Sequence, residues 1–111
     1  MAADELTGDE LVKVLASLAS PHRMRVLAAL SGGRKHVSGL ARDLGISRAL
    51  LQVHLKKLEK VGLVASELEL SEDGKAMKFY AVSPFELTLT PQSITSAART
   101  LTDLDPTADG S

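Results

Sequence analysis

The chain has no cysteine and no tryptophan. Without thiols there is no disulfide framework, no thiolate metal site and no thiol redox switch. Aromatic residues are confined to Phe79, Tyr80 and Phe85. The core must therefore come mainly from Leu, Val and Ala, which favours helices. No apolar run approaches the roughly 20 residues of a membrane span. The opening "MAADELTGDE" is acidic and polar and does not read as a signal peptide, so a cytoplasmic location is expected. Catalytic signatures are missing as well. No Ser/His/Asp spacing marks a nucleophile, "SGGRKH" lacks the phosphate-loop pattern, and the acids near residue 70 have no apolar pocket to tune them. The expectation is a protein that is not an enzyme and carries no cofactor.

What is present is charge, unevenly distributed. The 111 residues carry a formal charge of only -1, yet residues 21–62 hold nine Lys/Arg against Asp43 and Glu59. The flanking segments are acidic. A basic middle in an acidic frame is the footprint expected of a localised polyanion site. The length fits one domain, and a chain this short buries only about two thirds of its unfolded surface, so a second copy would add needed burial.

Punctuation along the chain divides it into elements. Thr7, with Glu10 three residues on, has capping-box spacing, and Leu11, Val14, Leu15 and Leu18 recur at helical intervals. Ser20-Pro21 opens a second helix that "SGG" at residues 31–33 stops. "RKHVS" suits a one-bridge strand leading to Ser38 as the cap of a short third helix, which Gly45 breaks. Ser47 caps a fourth helix running to about Val61, with Leu51, Leu55 and Leu58 on its core side. Val64–Leu70 and Ala76–Val82 flank the Asp73-Gly74 turn and read as a β-hairpin in which Val64, Leu68 and Leu70 share a face. "FELTL" is either a further short strand or an extended segment. A last helix runs from Pro91 to about Asp103. The organisation is a flexible start over residues 1–7, one domain over 8–103 and a flexible tail over 104–111.

Two short helices about a glycine turn, followed by a hairpin, make a winged helix-turn-helix: a mainly α fold with a small β-hairpin wing (α+β). The fourth helix then needs two faces. Its leucines hold it to the domain, while Ser47, Arg48, Gln52 and Val53 lie near its N-terminal half on the other side. A helix fits the DNA major groove, with its first turns at the base edges. Arg48 suits guanine, Gln52 adenine and Val53 a thymine methyl. Arg42, His54, Lys56, Lys57 and Lys60, with Lys75 and Lys78 from the wing, are the candidates for phosphate.

Three segments also resemble a known family. "LASPHRMRVLAAL" (residues 18–30), "LARDLGISRALLQVHLKKLEKVGLV" (40–64) and "GKAMKFYAVSP" (74–84) are similar, in that order, to the hallmark segments of ArsR/SmtB-type repressors. The resemblance implies a homodimer on a palindromic operator in double-stranded DNA, joined through its first and last helices. Leu11, Val14, Leu15 and Leu18, with Ile94, Ala98 and Leu101, would supply that interface. Some positions depart from the family. Ala49 and Leu50 stand where small hydroxyl residues are common, and Val53 where a polar residue is. The family's usual metal ligands are absent, so no metal is expected and no effector is named.

Two alternatives remain on sequence grounds. Arg23 and Arg25 either reach the DNA backbone or pair with nearby acids. Glu67, Glu69, Glu72 and Asp73 make the wing acidic, which would suit a winged-helix protein-interaction module without specific DNA binding. His22, His36 and His54 do not read as a metal cluster: His54 matches a family position near the DNA-facing helix, and His22 and His36 read as surface or capping residues.

Overall fold

The computed structural model describes residues 6–102. The expected tail, Asp103 and most of the expected flexible start lie outside them. Eight elements follow in order: α1 (Gly8–Leu18), α2 (Pro21–Leu30), β1 (Lys35–His36), α3 (Val37–Leu44), α4 (Arg48–Lys60), β2 (Val64–Leu70), β3 (Ala76–Val82) and α5 (Pro91–Ala98). They fall into two compact units. One holds residues 17–84; the other holds residues 6–16 and 85–102.

The larger unit is the winged helix-turn-helix. Ser20 caps α2 by accepting a hydrogen bond from the Arg23 amide, with Pro21 in the first turn where a missing N–H costs nothing. The strand before α3 is as short as expected, but the cap is not Ser38. His36 Nδ1 accepts the Ser38 amide hydrogen bond at 3.3 Å, so the cap stands two residues before the expected Ser38. The sheet has the order β1-β3-β2, with Lys35 opposite Tyr80 and His36 opposite Phe79. The β2–β3 register runs from Val64 opposite Val82 to Leu70 opposite Ala76. Val64, Leu68 and Leu70 do share a face, but only its base is covered. Val64 is 2% exposed, whereas Leu68 and Leu70 are 72% and 75% exposed, because the hairpin extends beyond the helices.

The core of this unit is aliphatic. Leu30, Leu40, Leu51, Leu55, Leu58 and Leu63 are at most 1% exposed, and Tyr80 is the one aromatic side chain buried among them. Each such leucine contributes roughly 1.5–3 kcal/mol of burial free energy. That is ample to decide which side of α4 faces inward.

In the smaller unit, α1 starts with a reciprocal box: the Glu10 amide donates to Thr7 Oγ1 and the Thr7 amide to Glu10 Oε1. A second box, Thr90 with Ser93, opens α5. The last helix ends at Ala98, short of the expected Asp103. The Thr100 hydroxyl turns back to donate to the Ala97 carbonyl while accepting the Gly8 amide hydrogen bond at 2.6 Å, and so draws the chain out of the helix. "FELTL" carries no regular structure.

Gly8 is where α1 crosses α5. A Cβ there would collide with the Ala97 carbonyl oxygen and the Leu101 side chain. The expected result of Gly8→Ala is a loss of about 1–3 kcal/mol, the usual cost of overpacking. Thermal unfolding at fixed protein concentration checks it; an unchanged midpoint would mean the crossing relaxes at no cost.

Candidate nucleic-acid interface

The presumed reading element is built by a sharp turn. Gly45 takes the left-handed conformation (φ 67°) that a side chain would disfavour, and its amide donates back to the Arg42 carbonyl at 3.2 Å. The Ile46 amide closes a further bond to the Ala41 carbonyl. Ser47 then caps α4, its Oγ accepting the Leu50 amide hydrogen bond at 3.0 Å. The cap uses one lone pair of Ser47 Oγ and leaves its hydroxyl proton free to donate.

Leu51, Leu55 and Leu58, all 0% exposed, define the inner side of α4. At about 100° per residue the opposite line of the helix runs through Ala49, Val53, Lys56 and Lys60. Gln52 borders it on one side and Leu50 and Lys57 on the other; Arg48 lies round toward the leucine side and reaches solvent because it is the first residue of the helix. Arg48, Val53, Lys56, Lys57 and Lys60 are exposed and Gln52 is half-buried. Among the described residues, none of these cations takes an ion pair. Arg48 is also the first residue of α4, and no acid stands in the first turn. A cation there opposes the helix dipole by about 0.3–1 kcal/mol. An anion brought to that end would relieve the conflict.

The other expected phosphate contacts divide. Arg42, Lys75 and Lys78 are exposed. His54 is not: it is 8% exposed and lies inside the unit, which corrects its assignment to phosphate. It stands one position from the outward Val53, on the margin of the leucine face. Its ring stacks on His22 with centroids 5.4 Å apart, and its Nδ1 lies 3.4 Å from Arg23 Nη1. A guanidinium only donates, so Nδ1 is the acceptor and the proton sits on Nε2. Nε2 is buried without a hydrogen-bond partner. Arg23 also donates from Nε to the Ser17 carbonyl, so it braces the α2–α4 contact from inside the unit. His36, the third histidine, caps α3. No group of three potential ligands is assembled among the described residues.

Two of the four wing acids, Glu67 and Glu69, are paired. Arg34 Nη1 lies 2.8 Å from Glu67 and Nη2 2.5 Å from Glu69, and the two carboxylates hold the Arg34 pKa above its ordinary value. Lys35 approaches Asp43 at 3.9 Å. Lys78 lies over the Tyr80 ring, its Nζ 5.3 Å from the centroid.

The apolar residues expected on the first and last helices also divide. Leu11 and Val14 are 3% and 2% exposed, buried within the protomer, and so do not form an outer surface. Leu15 and Leu18 are half-buried. Ile94, Ala98 and Leu101 are exposed and, with Leu15, line a shallow apolar groove. Val12, 55% exposed, belongs to the same groove; helical periodicity hid it because it falls outside the leucine stripe.

Burial holds the His54 pKa below its ordinary value of 6.5, and the nearby charges of Arg23, His22 and Lys57 push the same way. The unfolded chain therefore takes up this proton more readily than the folded one. The stability His54 contributes is complete above about pH 6.5 and is lost as pH falls toward its folded pKa, at no more than about 1.4 kcal/mol per pH unit. Urea unfolding between pH 5 and pH 8 should show this loss, and His54→Gln should flatten the acid limb. An acid limb of equal slope in the variant would move the effect to another group.

The match to known proteins is consistent with this geometry. Residues 20–66 match the model of the family described as "Bacterial regulatory protein, arsR family". A curated HTH-type transcriptional regulator of Methanocaldococcus jannaschii is 35% identical over 77 residues, which are 69% of this chain and 80% of the relative. Among solved structures, a homodimeric winged helix-turn-helix DNA-binding domain from Mycobacterium bovis is 24% identical with a TM-score of 0.60, over 67% of this chain and 64% of that one. HlyU from Vibrio cholerae (23% identical, TM-score 0.59) covers 82% of this chain and 87% of its own. The repressor BigR from Xylella fastidiosa (20%, TM-score 0.59) covers 82% and 79%. At these identities the structures speak for the fold alone. The sequence matches go further: this chain belongs to the ArsR family of transcriptional regulators, with a winged helix-turn-helix DNA-binding domain.

Proposed function

We propose that the chain is a homodimeric repressor that binds a palindromic operator, with α4 in the major groove and the wing beside it. The observation that carries this reading is the two-sidedness of α4. Its inner side is sealed by leucines, and the exposed Arg48 and Val53 and the half-buried Gln52 come ahead of the exposed Lys56, Lys57 and Lys60, with no ion pair among the described residues to neutralise those cations. Arg48 presents a fork suited to guanine and Gln52 an amide suited to adenine; Ser47 offers a hydroxyl donor. Arg42 and the lysines supply phosphate contacts, and Lys75 and Lys78 do so from the wing.

The apolar groove on α1 and α5 supports the dimer. Val12, Ile94, Ala98 and Leu101 expose apolar surface that a small chain does better to cover, and a second copy of the same groove would cover it. The rival reading as a protein-interaction module drew on the acidic wing. With Glu67 and Glu69 held by Arg34, that motive is weaker.

Arg48→Ala is expected to lower operator affinity by about 1–3 kcal/mol and to blunt the preference for operator over random duplex. Lys57→Ala should weaken both duplexes alike and reduce the salt slope by about one. Footprinting and salt titration separate the two. A normal operator preference in the Arg48 variant, or an unchanged slope in the Lys57 variant, removes that residue from its role. Ile94→Glu should shift sedimentation toward monomer; a dimer as tight as the parent's would place the interface elsewhere.

A further inference from the structure

The basic middle segment contains one cation that faces acids instead of solvent. Arg34 precedes β1, and the pairing of β1 with β3 carries it to the face of the wing that holds Phe79. There its guanidinium stacks 4.5 Å from the ring centroid. His36 meets the same ring edge-on at 5.9 Å, so the platform is fixed from two sides. On β2, Glu67 is opposite Phe79 and Glu69 opposite Met77, two residues apart and therefore on one face. One nitrogen of the fork takes each carboxylate.

This arrangement sorts the wing by charge. The clamped acids occupy the face of Phe79 and Met77. Lys78 and the exposed Leu68 and Leu70 occupy the other, the face that at its base carries Tyr80 and Val64 into the core beside α4. Ser66, on that second face, donates to Glu59 of α4 at 3.1 Å, so this side of the wing leads onto the reading helix. Exposed ion pairs contribute little to folding, so stability is a weak reason for a three-part clamp on a solvent-facing hairpin. Its consequence for an approaching polyanion is larger. Two unclamped carboxylates could swing toward phosphates, and like-charge juxtaposition slows association and weakens the complex.

We infer that Arg34 is a positioning residue for DNA recognition, which holds Glu67 and Glu69 on the far face of the wing and leaves the Lys78 face to meet the duplex. The inference rests on the DNA-binding reading above. It treats the wing acids as restrained, not as a docking site for a protein.

The test is a double-mutant cycle on operator binding with the full chain: parent, Arg34→Ala, Glu67→Gln/Glu69→Gln, and the triple variant. Arg34→Ala should weaken binding by roughly three- to tenfold at low salt, with the deficit shrinking as salt screens it. In the Gln background the same substitution should cost much less, because there are no acids left to restrain. The Gln pair alone should bind at least as tightly as the parent, which keeps the test valid if Arg34→Ala folds poorly. Equal losses in both backgrounds would make Arg34 one more cation near the DNA and overturn the clamp. Weaker binding by the Gln pair would overturn it too. A parent chain that binds no duplex would instead overturn the DNA-binding reading, and the clamp with it.

Discussion

Everything functional in this chain depends on the burial of three leucines one and two turns apart. Leu51, Leu55 and Leu58 lock the rotation of α4, and with several kcal/mol behind that choice no other face can turn inward. Once the rotation is set, the remaining residues of the helix have no freedom of assignment. Ala49, Val53, Lys56 and Lys60 must face out and His54 falls at the margin of the leucine face, while Arg48 stands exposed because it opens the helix, at the positive end of the helix dipole. A helix that carries a cation at its own N-terminus, without neighbouring acids, gives up stability that a bound anion restores. The site is thus a by-product of packing, made useful by what the outer positions happen to carry.

The two ends of the charge pattern are handled differently. On α4 the cations are left open. On the wing, opposite charges are gathered into one cluster by Arg34, whose partner Glu67 lies 33 residues away in sequence. A net charge close to zero therefore conceals a surface that is sorted, with positive charge concentrated on α4 and negative charge either paired with Arg34 or placed in other segments.

What could be read from the sequence was what local chemistry decides. Gly45 and Ser47 mark the turn and the start of α4 because a left-handed residue and a side-chain cap are short-range requirements. The hairpin is legible from Asp73-Gly74 and the strands beside it, and the box at Thr7 and Glu10 from its spacing. What could not be read were consequences of rotation and distance. His54 and Val53 differ by about 100° of helix, enough to exchange a phosphate contact for a buried ring. Leu11 and Val14 belong to the same stripe as Leu15, and only the fold shows that they are consumed internally while Val12 looks out. The early end of α5 depends on Thr100 meeting Gly8 across 92 residues, and the clamp at Arg34 depends on a two-residue strand. Neither leaves a periodic trace.

The most direct test of the central claim, that the outer side of α4 reads DNA, is selection of bound sequences from a pool of random duplexes by the intact protein at moderate salt. The account predicts enrichment of an inverted repeat whose half-sites are centred about one helical turn apart. A pool that binds only weakly, with salt-sensitive retention and no sequence enriched, would contradict it.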